Sequence, residues 1–98
     1  MKRTIIITEG TGAEAQSNAK NYPDARIIFA DSRPVPEVLV KMGKYVQLPD
    51  PESPAFIHEL LKCCLDHGAD TIVLLSEREQ ALLQPQKLLF EEYSIQLI

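Results

Sequence analysis

The chain has 98 residues, 45% of them apolar and 24% charged, with a formal net charge of −4. That composition is ordinary for one globular domain, and a chain of this size buries roughly 65% of its unfolded surface, enough for one core. The ten Lys and Arg are scattered rather than striped, which argues against nucleic-acid and anionic-membrane partners. No apolar run reaches transmembrane length. Met1-Lys2-Arg3 ahead of Ile5-Ile6-Ile7 has the charge pattern of a signal-peptide start. Glu9 breaks the apolar stretch and no cleavage-like site follows, so a cytoplasmic location is expected.

Residues 4–8, Thr-Ile-Ile-Ile-Thr, are continuously apolar and β-branched. Such a run suits a strand covered on both faces of a parallel sheet. Residues 9–12 form a turn, and residues 13–21 a short helix with a thin face of Ala13, Ala15 and Ala19. Residues 26–30 are a second buried strand, followed by the loop Asp31-Ser32-Arg33-Pro34. Residues 35–42 predict a short helix, with Val38, Leu39 and Met42 apolar and Gly43 as its stop. A weaker edge strand follows at 45–48.

The longest helix is expected next, with Ser53 as N-cap and Pro54 at its first position. Phe56, Ile57, Leu60, Leu61 and Cys64 form its apolar face, and Gly68 its end. Residues 71–75 are another buried strand. Ser76 and Glu79 have capping-box spacing for a helix that Pro85 interrupts, Lys87–Glu92 resumes helically, and residues 94–98 close the series as a strand. Strands alternating with helices predict right-handed crossovers and a parallel sheet of about five strands in the order 3-2-1-4-5, with helices on both faces.

Cys63 and Cys64 are adjacent in a helix, where neighbouring side chains diverge by about 100°, so they read as core hydrophobes rather than a disulfide or a zinc pair. His58 and His67 match no metal-ligand spacing. No nucleophile triad and no Walker A lysine motif is visible. Three loops remain. Gly10-Thr11-Gly12-Ala13-Glu14-Ala15 fits G-x-G-x-x-(G/A) between a strand and a helix. Asp31 follows about 20 residues on, where the dinucleotide fold places its ribose ligand. Glu9 and Glu14 count against pyrophosphate, because a carboxylate in the first helical turn satisfies the dipole and repels phosphate. Arg33 suits a carboxylate or phosphate, and Ser76-Glu77-Arg78-Glu79 follows the fourth strand. The plainer alternatives are a tight turn, a solvated turn in which Asp31 bonds its own backbone, and a helix cap. In the expected topology all three loops converge on one rim.

In order, the chain shows Thr8-Glu9-Gly10-Thr11-Gly12, Ala30-Asp31-Ser32-Arg33-Pro34, Lys44-Tyr45-Val46-Gln47-Leu48-Pro49, the helix around 56–65, and Leu74-Leu75-Ser76-Glu77-Arg78-Glu79-Gln80-Ala81-Leu82-Leu83. Across almost its whole length this resembles the N-terminal pre-ATP-grasp domain of ATP-grasp ligases, most nearly the carbamoyl-phosphate synthase large-subunit and biotin-carboxylase-like branch. The third segment resembles that family's Asp-Lys-x-Tyr-x-Val-Pro edge strand. The last resembles its Pro-Thr-x-Asp-x-Glu-Leu-x-x-Leu stretch, with Ser76-Glu77-Arg78 in place of Thr-x-Asp. The resemblance implies a Rossmann-like, non-catalytic domain spanning 1–98. Such a domain packs against an ATP-grasp domain or subunit and lends Gly10, Thr11, Gly12, Asp31, Arg33, Ser76 and Glu77 to a substrate-site rim. ATP and magnesium would be held by that other domain, absent here, and no cofactor by this chain. Two other readings stay open: a stand-alone NAD or adenine-nucleotide-binding module, and a ligand-free module dimerising through the apolar edge at 94–98.

Overall fold

A computed structural model describes residues 3–98. Met1 and Lys2, weighed above as a signal-peptide start, lie outside the described residues. Five parallel strands, β1 (Thr4–Ile7), β2 (Arg26–Asp31), β3 (Tyr45–Gln47), β4 (Thr71–Val73) and β5 (Gln96–Leu97), form one sheet in the order β3-β2-β1-β4-β5. This is the doubly wound, Rossmann-like arrangement expected from the alternation of apolar runs and helices.

The register explains why the central strands carry no polar side chain in their middle. Ile28, Ile6 and Ile72 stand side by side across β2, β1 and β4, with Leu97 next in the row. They face a core closed by α3 (Phe56–His67), α4 (Glu77–Leu83) and α5 (Lys87–Glu92), through Phe56, Leu60, Cys64, Leu83 and Phe90. The alternate row, Ile5, Ile7 and Val73, packs on the other face against Ala15 and Ala19 of α1 (Ala13–Ala19) and against Tyr22. Both faces of β1 are therefore dry, which is the condition that its unbroken Ile run anticipates. The alanines bring α1 close to the sheet, although Ala13 itself is exposed.

Element ends differ from expectation for local reasons. α3 begins at Phe56, not Pro54. Asp50 accepts Glu52 N through Oδ1 (2.8 Å) and Ser53 N through its carbonyl (2.8 Å), and Ser53 Oγ accepts Ala55 N at 3.2 Å. Ser53 thus caps a preceding turn, and the helix starts one turn later. Its far end is a Schellman closure: Gly68 takes φ +66°, Gly68 N donates to Leu65 O, and Ala69 N donates to Cys64 O at 2.8 Å. Pro85 lies in a single 3₁₀ turn, Gln84–Gln86, between α4 and α5. α2 (Glu37–Lys41) is short and leaves Val38 and Met42 exposed. Thr8 lies just past β1. Its hydroxyl donates to Val73 O (3.3 Å) and accepts from Leu75 N (3.1 Å), extending the β1–β4 tie beyond the backbone ladder. Among the described residues no helix is long and apolar enough to cross a membrane.

One glycine is dictated by packing. Gly10 N donates to Ala30 O at 2.9 Å, and a Cβ on Gly10 would lie 2.5 Å from Phe29 Cβ and 2.9 Å from Ala30 N. Gly12 is less confined, with Glu9 O at 3.3 Å and Arg33 Nη2 at 3.4 Å from its would-be Cβ. Gly10→Ala should therefore destabilise the chain by about 1–3 kcal/mol through overpacking, and Gly12→Ala by less. Urea unfolding checks this, with a lowered midpoint at unchanged slope expected for Gly10→Ala. Equal midpoints for the two variants would contradict the packing account.

Candidate functional site

A parallel sheet puts the ends of β1, β2 and β4 on one edge, and the loops beyond them meet there. Asp31, the last residue of β2, is 1% exposed. Its Oδ2 accepts from Thr11 N (3.0 Å), Thr11 Oγ1 (2.6 Å) and Arg33 Nη2 (2.9 Å). Its Oδ1 accepts from Arg33 N (2.8 Å) and Arg33 Nε (3.0 Å). Burial alone would push this carboxyl up; the Arg33 side chain first, then Thr11 and the two backbone amides, override it and hold the pKa at about 2. Arg33 is held above its ordinary range chiefly by the Asp31 carboxylate. The pair is a salt bridge with one buried partner and one half-exposed partner.

The same cluster shapes the first loop. Glu9 takes φ +53°, a left-handed conformation unusual for a residue with a side chain. Its carbonyl accepts from Gly12 N at 3.0 Å and from Arg33 Nη2 at 3.4 Å. Gln16 Nε2 reaches Gly10 O (3.3 Å) and Tyr45 Oη (3.1 Å). From β3, the Gln47 side chain holds the second loop. Its Nε2 lies within 3.0 Å of Asp31 O and Arg33 O, and its Oε1 accepts from Val35 N at 2.8 Å. Gly10, Thr11, Gly12, Asp31 and Arg33 are thus brought into one bonded cluster.

This arrangement changes the meaning of the glycine motif. A carboxylate offers about four lone-pair sites, and the Asp31 donors already occupy them. The residue standing where a ribose diol would be accepted is bonded to its own loops. Glu14 occupies the first turn of the seven-residue α1, and no side chain caps that helix. Chemically, the motif works here as a clamp between the ends of β1 and β2.

The third loop contributes differently from expectation. Ser76 caps α4, its Oγ accepting from Glu79 N at 3.4 Å, and Glu77 is exposed in the first turn. The residue that turns inward is Glu79. It is 2% exposed, and its Oε1 has no hydrogen-bond partner among the described residues. Burial pushes its pKa up, and the charges of Glu9 and Asp31 push the same way; the Thr8 hydroxyl and the Ser76 amide offset this only in part. Glu79 reads as half of a capping box in the sequence. Its four-residue spacing from the core residue Leu83 is the signal that it shares α4's buried face.

Cys63 and Cys64 are free and buried, and burial pushes their thiols up to about 11 and about 12, away from the thiolate form. Among the described residues no group of three or more His, Cys, Asp or Glu could hold a metal ion.

No protein-family model and no curated protein matches the chain. Among solved structures, a short-chain dehydrogenase from Leptospira borgpetersenii serovar Hardjo-bovis with bound NAD+ is similar, at TM-score 0.51 and 16% identity. The similarity covers 96% of this chain and 45% of the dehydrogenase, so the chain spans less than half of that protein's length. The likeness supports the Rossmann-like fold.

The two buried carboxyls predict opposite pH behaviour. Asp31 titrates at about 2 when folded, below its ordinary 3.8, so its stabilisation is full above that ordinary value and is lost as pH falls through it towards 2. Asp31→Asn should be less stable than wild type by about 2 kcal/mol at neutral pH, with the gap closing between about pH 5 and pH 2. Urea titrations across pH measure it, and a pH-independent gap would contradict the ion-pair account.

Glu79 has the reverse sign: the native state holds its proton more tightly, so its contribution is most favourable at low pH and declines as pH rises above the ordinary 4.5. Glu79→Gln should gain on wild type as pH rises from about 4 to 8. A constant difference across that range would show that the carboxyl is not held short of donors.

Proposed function

We propose that the chain is a non-catalytic domain or split subunit of an ATP-grasp-type carboxylate–amine ligase. It docks on an ATP-grasp domain and contributes its loop rim to the acceptor-substrate site. ATP and magnesium are held by the companion, and this chain holds neither. The reading draws on the resemblance running from Thr8 to Leu83 and on the Rossmann-like fold that such a domain requires. The observation that carries it is the Asp31 cluster. With its carboxylate committed to Thr11 and Arg33, the loop is preorganised as a rigid rim and is unsuited to gripping a nucleotide alone.

Thermal unfolding with millimolar ATP-magnesium or NAD tests the absence of autonomous nucleotide binding. Ligand at 100 times its Kd would add about 2.7 kcal/mol; no rise in midpoint is expected, and a rise with either nucleotide would favour the stand-alone nucleotide module. Sedimentation with an ATP-grasp domain of the carbamoyl-phosphate synthase type, stripped of its own N-terminal domain, tests docking. A one-to-one complex is expected, and two independent species would count against the proposal.

A further inference from the structure

We propose that the groove beside the first half of β2 takes an extended segment of a partner polypeptide in which large apolar and acidic residues alternate. The groove follows from where β3 begins. Gly43, at φ +80°, turns the chain out of α2, and β3 first meets β2 at Tyr45, opposite Phe29. Residues 26–28 of β2 are therefore paired to β1 on one side and to no strand on the other. Arg26 N donates to Arg3 O (2.7 Å), on the β1 side, and Phe29 N donates outwards to Lys44 O (2.8 Å). Hydrogen bonding alternates along a strand, so Ile27, two residues before Phe29, also directs its N–H and C=O outwards. Among the described residues neither group has a hydrogen-bond partner. An unpaired strand edge of this kind is a template for another extended chain.

The groove, about 470 Å³, is lined by Ala19, Ala25, Arg26, Ile27, Phe29 and Lys44. Ile27 and Phe29 are half-buried on the face that α1 covers, and Tyr45 stacks on Phe29 with ring centroids 5.2 Å apart. α2 does not close over them: none of its residues is buried, and Val38 is 64% exposed. The floor thus stays open to an apolar side chain. Charge names the occupant. The chain has a net charge of −4, yet both charged residues lining the groove are cations. Arg26 and Lys44 are exposed, and neither forms an ion pair among the described residues. Side chains alternate across a strand, so a segment paired with Ile27 sets every second residue over the apolar floor and the residues between them on the face to which Arg26 belongs. Apolar residues suit the first set and carboxylates the second. The groove lies at the opposite end of β2 from Asp31, so its occupancy does not depend on the docking of the rim.

The probe is the blocked peptide Glu-Leu-Glu-Leu-Glu, with Lys-Leu-Lys-Leu-Lys and Glu-Ser-Glu-Ser-Glu at equal concentration as controls for charge and for the apolar contact. Nitrogen-15 NMR of the full chain follows each titration. The acidic–apolar peptide should shift the Ile27, Phe29 and Lys44 amides saturably, and neither control should do so. At peptide about ten times its Kd, hydrogen exchange of the Ile27 amide should slow about tenfold, because it proceeds only from the free fraction. Added salt should weaken binding, and Arg26→Glu combined with Lys44→Glu should weaken it by about tenfold. Equal binding of the basic peptide, shifts centred away from β2, or unchanged Ile27 exchange at saturation would each overturn the proposal. Shifts of the same amides with protein concentration alone would also overturn it, by giving the groove to a second copy of the chain. Should the double variant fail to fold, the three peptides on the wild-type chain decide alone. Failure here leaves the docking reading standing, since that reading uses the other end of the sheet.

Discussion

A buried carboxylate is tolerated only when its charge is paired and its lone pairs are filled, and Asp31 meets that demand with groups from two separate loops. Thr11 closes on it from beyond β1, and Arg33 folds back from beyond β2. The two loops are thereby fixed relative to each other at the point where the strands diverge. Gly10 follows from this: the first loop must pass so close to β2 that its amide bonds Ala30 O, and no Cβ fits. So does the left-handed Glu9, which turns its carbonyl towards Gly12 N and Arg33. Gln47 adds a third strand by gripping the carbonyls of the Asp31–Arg33 loop. One ion pair thus makes a rigid rim out of three strand ends.

Asp31 and Glu79 occupy the same edge and have opposite protonation tendencies. Asp31 is surrounded by donors and stays ionised to low pH; burial of Glu79 shifts its pKa the other way, above the ordinary carboxylate value. Two titratable groups pushed apart by their surroundings are a recurrent feature of sites that handle charge. Here the splitting arises from simple geometry. The strand end of β2 is flanked by backbone amides and an arginine, whereas the first turn of α4 carries Glu79 into a buried position where the Thr8 hydroxyl and the Ser76 amide offset its desolvation only in part.

How much of this the sequence reveals depends on the range of the interaction. The Ile-Ile-Ile run of β1 announces a strand covered on both faces, and the alternation of such runs with helices gives the order of the sheet. Gly68 and Pro85 act within a few residues of themselves, so their effects are legible. Ser53 misleads because a stronger local competitor, the Asp50 turn, claims its segment first. Asp31 is readable as a site residue from its place after β2, but its partners are not: Thr11 lies 20 positions away. Gln47 carries no local signal, because it acts on residues 14 and 16 positions earlier across the β2–β3 pair. Glu79 is hidden by a second valid reading, as half of a capping box, and only its helical phase with Leu83 points inward.

The glycine-rich turn shows why fold and chemistry separate here. A strand, a turn containing two glycines, a helix and a downstream acid satisfy the pattern of a dinucleotide site, and the sheet has the order that goes with it. The pattern specifies backbone clearance and an acceptor, and this chain spends both internally: clearance at Gly10 on the approach to Phe29, and the acceptor at Asp31 on Thr11 and Arg33. For a ribose to take Asp31, it would have to displace an arginine and two Thr11 donors from a buried carboxylate, leaving that charge less well paired than before. Among the described residues, a buried acceptor atom without a partner on this edge is Glu79 Oε1, carried by α4. The glycine motif is thus satisfied as a pattern while the clearance and the acceptor it supplies are used within the chain, so the order of the sheet and the chemistry of its edge carry separate information.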